Sequence, residues 1–332
     1  MADITAADHL PDHYGRLQVS PVASQPVIDA AYQTLLRTTR GERLERLRES
    51  YAVLRDADAR RAYDNRRNCL GGKVVGDYEV IEKIGEGQFG QTYRGIHILT
   101  GTPVCIKHIP DASAETREDL LHESKVLARI NHHRLPGWYN TIQLDDGTVA
   151  LIMKYLPYPS LAKIVATDGP RTALDTVRII ERVMNLLMYL HGEKGVIHGA
   201  INPDHILVEY KNAGWIDAYL VSFGLGVLEP GGVSRDFVKY YSPQEQVDGG
   251  AMLPESDLYS VAKTAIFALT GSIEAVMINQ FPEDTPEPMR RFFDALLIED
   301  VYDRHDWDSG ALMERFTAAR VASGLAPVYS AE

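Results

Sequence analysis

Cysteine is scarce in this chain: two among 332 residues, Cys69 and Cys105. Two thiols cannot build the disulfide framework of a small secreted scaffold, so a reducing cytoplasm is the expected setting. Long apolar runs are missing too. None approaches the roughly 18 residues that span a bilayer, and the start, Met1-Ala2-Asp3-Ile4, lacks the apolar core of a leader, so neither a membrane segment nor a secretory signal is expected. There is no internal repeat and no low-complexity tract. Positive charge is in deficit, with 34 Lys plus Arg against 46 Asp plus Glu and a formal net charge of −12. Residues 1–71 hold 11 basic and 10 acidic side chains, so the rest of the chain carries −13, which disfavours nucleic acid and anionic membrane as partners. Glu42, Glu45 and Glu49 interleave with the arginines between Arg37 and Arg67, as on a solvated helix surface.

What is present is enough apolar material, 45% of residues, for one large core and a smaller helical unit. Several strings stand out in order. Tyr78-Glu79-Val80-Ile81 leads into Gly85-Glu86-Gly87-Gln88-Phe89-Gly90-Gln91-Thr92-Tyr93, a strand, glycine turn and strand. Val104-Cys105-Ile106-Lys107 follows as a further strand, and Glu123 sits in a helical stretch. Then come His198-Gly199-Ala200-Ile201-Asn202-Pro203-Asp204-His205-Ile206-Leu207-Val208, Val221-Ser222-Phe223-Gly224, Tyr241-Ser242-Pro243-Gln244 and Ser256-Asp257-Leu258-Tyr259.

Together these strings resemble the protein kinase superfamily, in a bacterial Ser/Thr-kinase style at Gly90-Gln91-Thr92-Tyr93. The resemblance implies an α+β fold with a small β-rich lobe and a helical lobe. It also implies a nucleotide pocket: Gly85, Gly87 and Gly90 over the phosphates, Lys107 paired with Glu123, and Met153, Lys154 and Leu156 at the gatekeeper and hinge, with Leu207 beneath. Thr92 and Cys105 stand where a valine and an alanine would flank adenine, making the pocket fuller and more polar. Lys107 and Glu123 either hold phosphates or only brace the lobe.

Four positions depart from the resemblance in their chemistry. Ala200 stands for the catalytic aspartate, Asn202 for the loop lysine, His205 for a metal-binding asparagine, and Ser222 for the aspartate that bridges magnesium to phosphate. The expectation is therefore a catalytically inactive kinase fold, a pseudokinase, acting as a protein-interaction scaffold or allosteric regulator. ATP or ADP would bind weakly and without metal, and the partner would be another protein. The alternative is a phosphotransferase using shifted groups. Asp204 and Asp217 are the candidates, each readable also as a turn residue that caps local backbone. On the substrate side, Phe237 replaces a threonine. Gln244 cannot pair with Arg304 as the family's glutamate would, whereas Glu245, one residue on, can.

Ahead of this region, His13-Tyr14-Gly15-Arg16-Leu17-Gln18-Val19, a helix from about Gln25 to Arg40 with Ser24 as N-cap, Leu44, Leu47, Tyr51 and Leu54 at helical spacing, and Asp56 to Asp64 resemble a J-domain. Leu35, Leu47 and Tyr51 are expected in its core. A J-domain's His-Pro-Asp is missing from the loop Thr38-Thr39-Arg40-Gly41-Glu42, which argues against a co-chaperone. The expected organisation is a J-like unit over 1–70, a linker over 71–77, and a kinase-like region over 78–325 with the hinge near 156. The short linker suggests that the two pack on each other.

Overall fold

Helix ends in the N-terminal region are set by short polar side chains. In a computed structural model, which describes residues 11–19, 23–67, 73–87, 90–110, 113–211, 215–304 and 309–325, Asp12 accepts from the Gly15 amide at 2.8 Å and opens helix α1 (His13–Leu17). Helix α2 (Gln25–Thr38) starts after Ser24 with Pro26 in its first turn, although the Ser24 hydroxyl makes no capping bond. Gly41, at φ +63°, turns the chain into α3 (Glu42–Arg55). Asp56 Oδ1 then accepts from the amides of Asp58 and Ala59 and starts α4 (Ala57–Arg67).

These four helices enclose Tyr14, Leu17, Ile28, Leu47, Leu54 and Tyr63, with Leu35 and Tyr51 partly buried against them. Tyr51 stacks on Tyr32 with ring centroids 3.8 Å apart. The Tyr63 hydroxyl accepts from the His13 amide and donates to the Pro11 carbonyl, so a buried phenol satisfies its polar tip. Strand β1 (Val74–Val75) pairs with the start of β2 (Tyr78–Gly87). The chain divides into two compact units, Met1–Glu82 and Lys83–Glu332. Residues 68–72, with Cys69 and the first two positions of the expected linker over 71–77, lie outside the described residues.

The second unit begins with a sheet of order β2-β3-β4-β6-β5, to which β2 contributes from Lys83 on. Its other strands are β3 (Gly90–His97), β4 (Pro103–His108), β5 (Trp138–Gln143) and β6 (Val149–Lys154), with antiparallel pairing of β3 with β4, β4 with β6 and β5 with β6. Helix α5 (Ala114–Arg129) packs on this sheet, capped by Ser113. The helical lobe holds α6 (Leu161–Asp168), α7 (Ala173–Met188), α8 (Gln244–Val247), α9 (Pro254–Thr270), α10 (Ile273–Met277), α11 (Glu287–Leu296) and α12 (Ser309–Ala322). The hairpin of β7 (Ile206–Tyr210) and β8 (Ile216–Leu220) carries the loops that reach the cleft.

The helical lobe is held by one continuous core. α7 buries Val177, Ile180, Val183, Met184 and Leu187 along one stripe, while α9 buries residues on nearly every side, among them Val261, Ala262, Ala265 and Ile266. Each such aliphatic side chain contributes about 1.5–3 kcal/mol on burial. The architecture is the bilobal α+β fold that the resemblance implied, preceded by a small all-α unit. Among the described residues no helix is long and apolar enough to cross a membrane.

Candidate functional site

Between the two lobes, Lys107 Nζ lies 2.5 Å from Glu123 Oε2, and both side chains are buried, at 7% and 2% exposure. Strand register puts Lys107 opposite Thr92 on β3 and Leu151 on β6, and the Ser113 cap sets the phase of α5 that turns Glu123 inward. The second carboxylate oxygen, Oε1, accepts from the Phe223 amide at 3.1 Å. One glutamate thus joins the lysine strand, its own helix and the loop after β8. His122 Nε2 donates to the Gly226 carbonyl at 2.6 Å, a second tie between α5 and that loop.

The glycine turn is partly described. Gly85 and Gly87 lie in β2, Gln88 and Phe89 are outside the described residues, and Gly90 opens β3. Gly90 has φ +105°, and a Cβ there would stand 2.6 Å from the His108 carbonyl, so no larger residue fits. Cys105 faces Met153 across β4 and β6. Burial and the charge of Glu123 push its thiol up to about 12, so it stays a neutral packing group. Met153 and Leu156 are buried, and Lys154 donates to the His133 carbonyl at 3.0 Å. Leu207 forms an isolated bridge with Ser160 beneath the cleft.

The catalytic-loop positions hang from one carboxylate. Asp257 on α9 accepts from the amides of His198 (2.7 Å) and Gly199 (2.8 Å) and from His191 Nε2 (2.7 Å). Burial raises its pKa, but those donors outweigh burial and hold it below the ordinary carboxylate value. His198 Nε2 donates to the Val221 carbonyl, and its ring meets Phe223 edge-on at 4.5 Å; burial drives its pKa down to about 4, so it is neutral. Ala200 is buried, and its carbonyl lies 3.0 Å from Asn202 Nδ2 and 2.8 Å from His205 Nδ1. Burial, and then the charge of Lys107, depress the His205 pKa, which places that imidazole within the field of the Lys107–Glu123 pair.

Ser222 has φ +69°, the left-handed region. Of the two carboxylates considered as shifted ligands, Asp217 is engaged elsewhere, 2.5 Å from Lys211 Nζ and facing Arg134 and Arg182. Asp204 is exposed beside the loop, its amide held by Asn202 Oδ1 at 2.8 Å, and its charge reaches both His205 and Tyr241. Glu245, rather than Gln244, pairs with Arg304, so the segment register moves by one and Val238 takes the place assigned to Phe237. The strings above pointed to neither Gln246 nor His191 as a holder of these loops. The only signal for Gln246 was its place next to Glu245.

Residues 78–307 match the protein kinase domain family, and the chain belongs to that family. It is 27% identical over 246 residues to serine/threonine-protein kinase pkn3 of Myxococcus xanthus, covering 68% of this chain and 45% of that protein. It is 27% identical over 203 residues to Aurora kinase of Saccharomyces cerevisiae, covering 59% and 53%. It is 23% identical over 268 residues to serine/threonine-protein kinase F of Synechocystis, covering 70% and 53%. The chain thus spans about half the length of these relatives. These findings overturn the expectation of an inactive scaffold that is not an enzyme. Named kinases surround the chain, and the phosphotransferase alternative is the better supported.

The family implies magnesium, and the donor set here does not fit it. Magnesium takes oxygen ligands, usually a carboxylate or two. Ser222 offers a neutral hydroxyl, His205 offers nitrogen with Nδ1 already turned to the Ala200 carbonyl, and Ala200 offers none. Among the described residues no group of three or more His, Cys, Asp or Glu gathers as a metal site.

Proposed function

We propose that this chain is an ATP-dependent protein phosphotransferase that positions its nucleotide through Lys107 rather than through a resident magnesium ion. The observation that carries this reading is the closed Lys107–Glu123 pair with Glu123 also gripping the Phe223 amide. That arrangement offers a buried ammonium to the nucleotide phosphates and fixes it from two elements. Phosphoryl transfer passes through a loose transition state, so positioning and charge matter more than an oriented base. Asp204, exposed in the same loop with its charge felt by His205, is the carboxylate we assign to the role that Ala200 cannot fill. The protein substrate is the expected partner, and the scarcity of cysteine supports a cytoplasmic location.

The test is transfer of the γ-phosphate of ATP by the purified full chain to itself and to basic protein substrates, with magnesium, manganese or chelator. Slow transfer that is lost in Lys107→Ala is expected. Absence of transfer in every condition overturns the reading. A thermal shift with ATP that persists in chelator and disappears in Lys107→Ala tests the binding half separately.

The N-terminal unit we read as J-like. Four helices of the right order and lengths support this, with Tyr14, Leu17 and Tyr63 packed in one core. The turn between α2 and α3 carries no His-Pro-Asp, so stimulation of a chaperone is not part of the reading.

A further inference from the structure

The two ring nitrogens of His205, partly buried in the catalytic loop, have unlike surroundings. Nδ1 lies 2.8 Å from the Ala200 carbonyl, and a carbonyl oxygen only accepts, so Nδ1 carries a proton. Asn202 Nδ2 stands 2.9 Å from the same nitrogen but donates to that carbonyl at 3.0 Å, and Asn202 Oδ1 accepts from the Asp204 amide, which fixes the orientation of the Asn202 side chain. With Nδ1 protonated, the neutral ring presents only a lone pair at Nε2. Nε2 has no hydrogen-bond partner among the described residues. The charges that act on this ring are Lys107 from β4, Glu123 from α5 and Asp204 from its own loop. His198, neutral, lies near enough for the two imidazoles to influence each other, and Val221 at the end of β8, whose amide donates to the His205 carbonyl at 3.0 Å, brings no charge. Burial first, and then Lys107, lower the His205 pKa, so the ring is neutral at pH 7 before any anion arrives.

The charge balance around Lys107 calls for a second cation. Glu123 offsets Lys107 and spends its other oxygen on the Phe223 amide, Asn202 stands where the resemblance implies a lysine, and the oxygen ligands that magnesium would need are missing. A nucleoside triphosphate brings several negative charges on oxygens that only accept. A neutral His205 would set lone pair against lone pair, whereas a protonated one donates a charge-assisted hydrogen bond. We propose that His205 is a second phosphate-holding side chain, which takes up a proton at Nε2 as a nucleoside triphosphate binds and, as an imidazolium beside Lys107, supplies the positive charge that no metal ligand here recruits. The proton comes from solvent and returns to it on release, while Nδ1–H stays on the Ala200 carbonyl in both states. This rests on the reading of Lys107 as the group that meets the nucleotide phosphates.

Isothermal titration calorimetry of the full chain with ATP in chelator, repeated in two buffers of unlike ionisation heat, counts the protons bound with the nucleotide. The wild type is expected to take up more protons than His205→Asn or His205→Gln, by up to about one per ATP, and its Kd for ATP should rise between about pH 6 and 8 by up to roughly tenfold per unit. The variants should lose this excess slope, so that the gap in Kd narrows as pH rises, whereas a merely structural role would shift Kd alike at every pH. Protons shed by ATP itself are common to all three proteins and cancel in the comparison. Two variants are used so that one decides if the other fails to fold. Equal proton counts in wild type and variant, or a gap in Kd that stays constant with pH, overturn the proposal; with ATP binding still lost in Lys107→Ala, the reading of Lys107 stands. No binding of ATP in any condition overturns both.

Discussion

Glu245 and Arg304 meet in a two-pronged ion pair, Nη1 to Oε1 at 2.7 Å and Nη2 to Oε2 at 3.2 Å, with the arginine side chain wholly buried. The guanidinium also donates to the carbonyls of Ile298, Glu255 and Glu299, and it lies over the Tyr259 ring at 4.8 Å. All five of its donor directions are thereby used on one loop junction. Arg304→Ala would strand a carboxylate and three carbonyls, and a loss of about 3–5 kcal/mol is expected. Arg304→Lys should recover little of it, because an ammonium cannot reproduce the fork. Urea unfolding of the full chain, read for the transition of the second unit, measures both. A loss under about 1 kcal/mol for Arg304→Ala would place the pair with weak surface bridges instead.

That pair shows how far the residues could be read before folding. Lys107 and Glu123 were legible because each is a charged group at a fixed place in a strand and a helix. Glu245 was legible only as an option, since one residue of register separates it from Gln244 and spacing alone does not choose. Gln246 and Asp257 were not read as holders of the loops, because they act on main-chain groups far away in sequence, and a polar residue near a helix end looks like an ordinary cap. In the N-terminal unit, the expected core named Leu35, Leu47 and Tyr51 and did not single out Tyr14 and Tyr63, whose burial rests on contacts between the two ends of the unit, His13 with Tyr63 and Tyr14 with Asp64. The largest misreading concerned catalysis. Ala200, Asn202, His205 and Ser222 tell which groups are gone, and the expectation drawn from them gave way to the kinases that the chain resembles.

Ser222 provides a direct probe of the missing metal ligand. At φ +69° a serine is strained by about 1–2 kcal/mol, whereas asparagine and aspartate tolerate this region better. Ser222→Asp should therefore fold at least as well as the wild type while adding a carboxylate at the cleft. Its thermal shift with ATP should become larger with magnesium than with chelator, unlike that of the wild type. Equal shifts in the two conditions for Ser222→Asp would show that the other departures, at Ala200 and His205, also bar the ion.

Gly199 should resist any side chain, a long one such as arginine included. Its φ of +69° and the Leu225 carbonyl 2.7 Å from a built Cβ act together. Gly199→Ala is expected to cost about 1–3 kcal/mol from backbone strain, and more if the carbonyl must move. Differential scanning calorimetry should show a lower midpoint for Gly199→Ala and no recovery in Gly199→Arg. An arginine variant as stable as the wild type would mean that the loop has a second conformation with room for it.

Lys263 is a buried charge held by a carbonyl and an aromatic ring. It sits on α9 at 4% exposure and donates to the Val276 carbonyl at 2.7 Å, with the Tyr259 ring 5.4 Å away. Burial brings its pKa down to about 8 from an ordinary 10.5. Between those two values the unfolded chain holds a proton that the folded chain has released. Stability from this group therefore rises with pH from about 8 to 10.5, and the full penalty is present below 8. Lys263→Met, of similar length and without charge, should be more stable than the wild type at pH 7 by about 1–3 kcal/mol, less whatever the bond to Val276 contributes. The difference between the two proteins should shrink as pH climbs from 8 toward 10, which isolates Lys263 from tyrosines that titrate in both. Urea midpoints across that range decide the matter. A difference that stays constant with pH would mean that the lysine remains charged at high pH and that the carbonyl and the ring suffice to keep it so.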